Sequence, residues 1–311
     1  EKFTSQFEKS SRISDNEYEL RQQFKTGAKV SVSSKAPTLS GWGDGLGPVD
    51  FSRMEGLGSY LGVSLSHKFP APSLSDINLV PSKIPDKLEE ALRNCLDHEG
   101  CYRDHSTRVR FSLGKNYCDL IRLRQGGTIE APDLVIAPKS LHELQRIMKV
   151  CTNQDIAIVP FAGGTSVVGG VTALRGKHPY LIALDLTGFD RVLNFDETSQ
   201  IVTVEGGMLG PKLEDYLNGR GFTLGHFPQS FEYSTVGGWI AARSAGQNCL
   251  QYGNISSLVI NLKMVTPTGT FETAFAPAMA CGPNFKELLT GSEGIFGIIY
   301  SASLQVRRVP E

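Results

Sequence analysis

Two stretches of this sequence carry residue types whose spacing could do chemistry. The first is PFAGGTSVVGG, Pro160–Gly170, in which four of eleven residues are glycine, directly after the apolar run IAIV. Glycine loses more conformational freedom on folding than any other residue, so such a cluster needs a compensating reason. Consecutive glycines let backbone N–H groups converge into a nest that binds an anion, and Thr165 and Ser166 add hydroxyl donors. A plain turn with glycines at positive φ accounts for the same residues, and taken alone they do not separate the two readings. The second stretch is HFPQSFEYSTVGGW, His226–Trp239, a Ser/Thr-rich approach to the pair Gly237-Gly238. His226 is a candidate acid or base because imidazole titrates near neutral pH. The plain alternative is a histidine that hydrogen-bonds in the core.

Several common chemistries are excluded by spacing. A dinucleotide fingerprint needs G-x-G-x-x-G between a strand and a helix. GGTSVVGG lacks that spacing, and GLGSYLG (Gly56–Gly62) is one residue off and follows no strand. No lysine follows Gly169 or Gly170, as a nucleotide P-loop would require, and H-E-x-x-H, C-x-x-C and G-x-S-x-G are missing. Metal ligation is therefore not expected. The formal net charge of −1 gives no electrostatic footprint for nucleic acid, and no apolar run is long enough to span a bilayer as a helix. The six cysteines (Cys95, Cys101, Cys118, Cys151, Cys249 and Cys281) show no paired spacing, which fits reduced thiols in an intracellular compartment.

The elements that must position these residues make the chain α+β. Residues 1–130 read as an irregular, partly helical N-terminal extension that contains GWGD at 41–44 and a helical stretch in DKLEEALRNCLDHEG. Residues 131–311 are the better patterned part. Within it, 131–187 form a first β-α-β lobe: DLVIA is strand-like, SLHELQRIMKVCTNQ opens on Ser140 with Glu143 three residues on, a capping-box signature, and IAIVP is again strand-like. Residues 188–311 form a second lobe, with strands in RVLNF, IVTVE and GIIYSASLQ, helices in LGPKLEDYLN, GGWIAARSAG and FKELL, and a hairpin that turns at Pro267-Thr268-Gly269. Trp42 and Trp239 read as packing residues, Arg243 as a surface residue, and Arg108 and Arg110 as solvated charge.

Four motifs occur in order: P-x-x-G-G-T-S-V-x-x-G, F-E-x-S-T-V-G-G-W, K-M-V-T-P-x-G and G-S-E-G-x-x-G-x-I. Together they resemble the PCMH-type flavin domain of the vanillyl-alcohol-oxidase superfamily. The resemblance is strongest to the alkyldihydroxyacetonephosphate synthase group and its bacterial FAD-linked oxidase relatives, and GWGD is similar to a motif upstream of that domain.

The resemblance implies a two-lobed FAD-binding domain with the cap domain absent from this chain. It implies that Ala162, Gly163, Gly164, Thr165 and Ser166, flanked by Pro160 and Val167, wrap the FAD diphosphate with backbone amides. Pro228, Gln229 and Ser230, then Ser234, Thr235, Gly237 and Gly238, correspond to the segment along the ribityl chain and ring. Gly291, Ser292, Glu293, Gly294, Gly297 and Ile298 correspond to a third contact, with Glu293 a binding residue and not a catalytic carboxylate. Many superfamily members attach the flavin through a histidine where Thr165 stands here, so FAD is expected to be non-covalent. His226 falls in the family's G-H-x-P-x-S segment, near the flavin and important for synthase activity. The synthases usually carry Asp where Gln229 stands, and many oxidase relatives carry Gln.

The activity so implied is exchange of acyl for alkyl on acyl-dihydroxyacetone phosphate in ether lipid synthesis. Oxidation of a 2-hydroxy acid such as D-lactate is the alternative, and a non-catalytic flavin-binding or scaffold subunit is a third. The expected partner is a small-molecule or lipid substrate. Nucleic acid is not expected, and peripheral membrane association, a homodimer and a place in a larger assembly are left open. The resemblance points to a peroxisome, or to a mitochondrion or bacterial cytoplasm on the oxidase reading. It further implies that the native chain continues past Glu311.

Overall fold

The computed structural model describes Leu39, residues 55–62 and residues 72–310. GWGD, Trp42 and the first polar stretch lie outside the described residues. Two sheets organise the rest. The first holds β1 (Cys101–Tyr102), β2 (Leu134–Ile136), β3 (Ile156–Phe161) and β4 (Tyr180–Asp185) in the order β1-β2-β4-β3. Strands β2, β4 and β3 run parallel, while β1 runs antiparallel along β2. The crossover from β2 to β3 therefore leaves one place, which β4 later fills. As the central parallel strand, β4 has its four middle residues buried, the pattern of a strand covered on both faces.

The second sheet holds β5 (Val192–Asp196), β6 (Ile201–Glu205), β7 (Val259–Thr266), β8 (Gly269–Glu272) and β9 (Ile298–Gln305), all antiparallel, in the order β8-β7-β9-β6-β5. Thr266 pairs with Gly269, so Pro267 and Thr268 make the hairpin turn that the sequence predicts.

Helices cover the sheets by burying one stripe each. In α1 (Asp86–Arg93) the sequence spacing places Leu92 in the core. Two short helices, α2 (His105–Arg110) and α3 (Tyr117–Gln125), carry the chain toward the first sheet. Helix α4 (Leu141–Asn153) buries Leu144, Ile147, Met148 and Cys151, the i, i+3, i+4, i+7 face of a helix. Its core extends from Ile136 and Ile182 of the first sheet to Val265 and Ile298 of the second. The second sheet packs against α5 (Gly210–Asn218) and α6 (Val236–Ala241) around Leu213, Phe222, Trp239 and Ile240. A last short helix, α7 (Phe285–Leu289), precedes the closing strand.

Ser140 caps α4 by accepting from the Glu143 amide at 3.2 Å, as the sequence predicts. The reciprocal half of the capping box is redirected. Glu143 accepts from the Lys139 amide at 2.6 Å and from the Asp97 amide at 2.9 Å, which ties α4 to the chain after α1. The first sheet thus begins before residue 131, with β1 on its edge and α1 packed on α4.

One buried ion pair locks this lobe. Asp133, fully buried, accepts from the Lys83 amide at 2.7 Å, the Leu181 amide at 2.8 Å and Arg175 at 2.5 and 3.2 Å. Removing one partner of a buried pair leaves an uncompensated charge, which costs about 3–5 kcal/mol. Arg175→Met is expected to lose stability on that scale in urea unfolding. A loss within about 0.5 kcal/mol, the size of an ordinary surface change, would show that the pair does not lock the lobe.

Candidate functional site

The glycine loop begins where β3 ends at Phe161, and Ala162–Ser166 lie half-buried. Among the described residues, no backbone amide from Gly163 to Val167 donates to an acceptor of the chain. The segment is only partly buried, so these main-chain donors stand open to solvent or to a ligand. Successive free N–H groups of this kind suit an anion. No carboxylate lies in the segment to oppose one.

The structure brings the three predicted segments together. A β-carbon at Gly163 would stand 2.0 Å from the Tyr233 carbonyl oxygen, so the glycine loop touches the backbone of the second segment directly. A β-carbon at Gly170 would stand 2.6 Å from the Glu293 carboxylate, and one at Gly294 would contact the Pro160 ring at 3.5 Å. The close approach that excludes a side chain at Gly163 is therefore made by the chain itself, and the open amides beside it are a separate feature.

The second and third segments spend their polar groups internally. Val236, Gly237 and Gly238 donate to the Met208 and Gly206 carbonyls and to the Thr235 hydroxyl. Thr235 thereby caps α6. The Ser234 hydroxyl donates to the Ser230 carbonyl at 2.8 Å and accepts from the Trp239 indole at 2.6 Å, so Trp239 is a packing residue. Gly291 and Glu293 donate to the Ile240 and Ala241 carbonyls, which fastens the third segment to the end of α6. Glu293 holds a left-handed conformation, φ 51°, uncommon for a residue with a side chain. Burial pushes its carboxyl above the ordinary range. The Ser292 hydroxyl is buried and has no partner among the described residues. Pro228 is buried and Gln229 exposed, while Ile298 lies in the core that joins the sheets.

His226 is held from behind. Glu214 of α5, buried, accepts from the Thr223 hydroxyl at 2.9 Å and from the Leu224 and Gly225 amides at 3.0 and 3.1 Å. Desolvation pushes that carboxyl up despite the three donors. The next residue, His226, is 1% exposed, bonds the Ser244 hydroxyl through Nε2 at 2.8 Å and meets Trp239 edge-on. Its Nδ1 has no partner among the described residues. Burial pushes the imidazole down to about 4, so it is neutral at pH 7 and can offer one hydrogen bond at Nδ1. As a base at neutral pH it is weak, a restriction set by burial and not by residue type.

One arginine ends up elsewhere than expected. Arg108 is buried, not solvated, and donates to the Pro132 carbonyl and the Val80 carbonyl, both at 2.7 Å. Arg110 and Arg243 are exposed, and Arg243 pairs with Glu287 and donates to the Thr290 carbonyl just ahead of Gly291.

The mixed sheet-and-helix fold is that of an FAD-binding domain of the PCMH type, and residues 132–274 match the FAD binding domain family. FAD is the cofactor of that fold, and the residues present fit it: unpaired amides for a diphosphate, a spare buried hydroxyl at Ser292, and no opposing acid in the loop. Its relatives are narrower. The chain is 33% identical over 242 residues to alkyldihydroxyacetonephosphate synthase of Dictyostelium discoideum and 34% identical over 251 residues to that of Trypanosoma brucei brucei. Each match covers 78% of this chain, which spans 39% and 40% of those relatives' lengths. A mitochondrial D-lactate dehydrogenase [cytochrome] of Saccharomyces cerevisiae is 32% identical over 185 residues, 58% of this chain and 31% of its own. A solved alkyldihydroxyacetonephosphate synthase structure superposes with a TM-score of 0.77 at 30% identity, over 88% of this chain and 54% of that one. Among the described residues no helix is long and apolar enough to cross a membrane.

Two outcomes follow from this geometry. Gly163→Ala drives a β-carbon into a main-chain oxygen that cannot swing away, a strain of about 1–3 kcal/mol. It is expected to lower the melting temperature and weaken FAD at least tenfold in a flavin fluorescence titration. For His226, the unfolded imidazole takes up a proton near pH 6.5 that the folded one refuses until about pH 4. The folded value is depressed, so the associated stability is complete above pH 6.5 and is lost as pH falls to 4. Urea unfolding at pH 7, 5.5 and 4.5 should show that slope in the wild type and a shallower one in His226→Gln.

Proposed function

We propose that the chain is the flavin-binding part of an FAD-dependent enzyme of the alkyldihydroxyacetonephosphate synthase type, one that exchanges the acyl group of acyl-dihydroxyacetone phosphate for an alkyl group in ether lipid synthesis. FAD, when bound, supplies an electron-accepting ring beside the substrate. The open amides of Gly163–Val167 carry the reading: they hold the diphosphate, with Ala162 and Pro160 shaping the turn. The segments Pro228–Ser230 and Ser234–Gly238 border the ribityl chain and ring, and Gly291–Ile298 closes the third side. Thr165 offers no imidazole for a covalent link, so the cofactor dissociates.

His226 serves as a neutral hydrogen-bonding group, oriented by Ser244 and the Glu214-braced turn. The exchange is redox-neutral, with the acyl group leaving as carboxylate and the alcohol oxygen taking its place. A lipid substrate is supported by the apolar side chains left exposed beside the loop. Val167, Val168 and Ile295 are 59%, 71% and 77% exposed, on two loops that meet at Gly170 and Glu293. On this reading the protein works inside the cell, in a peroxisome.

The similarity to D-lactate dehydrogenases supports a second reading, oxidation of a 2-hydroxy acid. One set of experiments on the FAD-loaded full-length protein separates them. Acid precipitation should leave yellow flavin in the supernatant. Acyl-dihydroxyacetone phosphate with a long-chain alcohol should release fatty acid and form the alkyl product. Anaerobic bleaching of the flavin by D-lactate alone would transfer the assignment to the oxidase. Tight FAD with neither response would leave a structural role.

A further inference from the structure

Outside the three flavin segments, one buried carboxylate has no place in the chemistry so far. Asp119 of α3 is fully buried, yet it stands on a short helix next to the exposed Tyr117 and Cys118. A buried carboxylate is costly unless its lone pairs are filled. Here the donors come from both sides of a gap in the sequence. The Oδ2 atom accepts from the Gly114 amide at 3.3 Å, from the Asn116 side-chain amide, and from the Thr172 hydroxyl at 2.9 Å, 53 residues away. The Oδ1 atom accepts from Arg122 at 3.1 Å.

Around this centre, residues 112–119 grip the far half of the glycine loop. The Lys115 amide donates to the Ser166 carbonyl at 2.7 Å, and the Ala173 amide donates to the Ser112 carbonyl at 2.7 Å. A β-carbon at Gly114 would lie 2.6 Å from the Ser166 oxygen, so the two backbones are in contact. Within the loop, the Gly170 amide donates to the Ser166 hydroxyl at 3.0 Å and the Thr172 amide to the Gly169 carbonyl at 3.1 Å. The open amides of Gly163–Val167 are thus held at the Ser166 carbonyl and, through Thr172, at Asp119. The two bonds inside the loop lie toward its far end, so the segment Gly163–Val167 is held chiefly from outside.

We infer that Asp119 is a positioning residue for the cofactor: by holding Thr172 and the Gly114–Asn116 turn, it keeps the loop from Gly163 to Val167 in the form that receives a diphosphate. The inference rests on the reading of that loop as the FAD diphosphate site.

Thr172→Val deletes the hydroxyl at nearly constant shape, Thr172→Ser keeps it, and Asp119→Asn weakens the whole centre. All three are made in the 311-residue chain. A hydrogen bond to a charged group is worth enough to change affinity by about tenfold or more. FAD affinity, by fluorescence titration, should fall about tenfold in Thr172→Val and further in Asp119→Asn, and stay within about twofold of wild type in Thr172→Ser. Riboflavin, which lacks the diphosphate, should bind all variants alike. Amide exchange over 163–170 in the apoprotein should quicken in Thr172→Val with the melting temperature little changed. If Asp119→Asn fails to fold, the threonine pair decides alone. Unchanged FAD affinity in Thr172→Val, or equal weakening of FAD and riboflavin, overturns the inference while leaving the diphosphate reading intact. A wild-type chain that takes up no FAD removes both.

Discussion

The molecule is built around keeping a row of main-chain amides unpaired. The neighbouring segments spend theirs on the chain. Those of Val236–Gly238 go to Met208, Gly206 and Thr235, and those of Gly291 and Glu293 go to the end of α6. Between Gly163 and Val167, by contrast, consecutive donors have no acceptor among the described residues. The amides of that segment make no bond of their own, so its shape is imposed largely from outside.

Three supports impose it. The backbone at Tyr233–Ser234 presses on Gly163, closer than any side chain would allow. Glu293 and Gly294 stand against Gly170 and Pro160. The buried Asp119 centre holds the other end through Thr172. Each support is anchored in a core: Trp239 and Ile240 behind the second segment, Leu289 behind the third, and Leu123 behind Asp119. The same arrangement explains the low imidazole value of His226. Its turn is braced by Glu214 and roofed by Trp239, so the ring is dry and neutral, suited to hydrogen bonding more than to taking a proton.

Much of the fold was legible in the chain because local signals agreed with tertiary structure. The stripe Leu144, Ile147, Met148, Cys151 and the Ser140 cap place α4 without help, and Pro267-Thr268-Gly269 places the hairpin turn. The Gly-Gly pairs and their hydroxyl neighbours marked the segments that meet at the site. Where the reading stopped short, long-range partners were the cause. The spacing of Ser140 and Glu143 implied a closed capping box, but the Asp97 amide competes for that carboxylate from 46 residues away. Arg108 reads as solvated charge until the Pro132 and Val80 carbonyls close over it.

What the sequence determined by itself was the location of backbone freedom and the residue types beside it: glycine where side chains could not fit, threonine and serine hydroxyls next to those glycines, an imidazole two residues before a proline. Those are properties of single residues and their near neighbours. The tertiary structure alone decided which glycines are required by close backbone approach and which amides are left unpaired. It also decided that His226 is neutral and that Asp119 belongs to the loop. Each of those depends on groups brought from tens of residues away into a dry interior, where a missing or added partner changes a charge state or frees a donor.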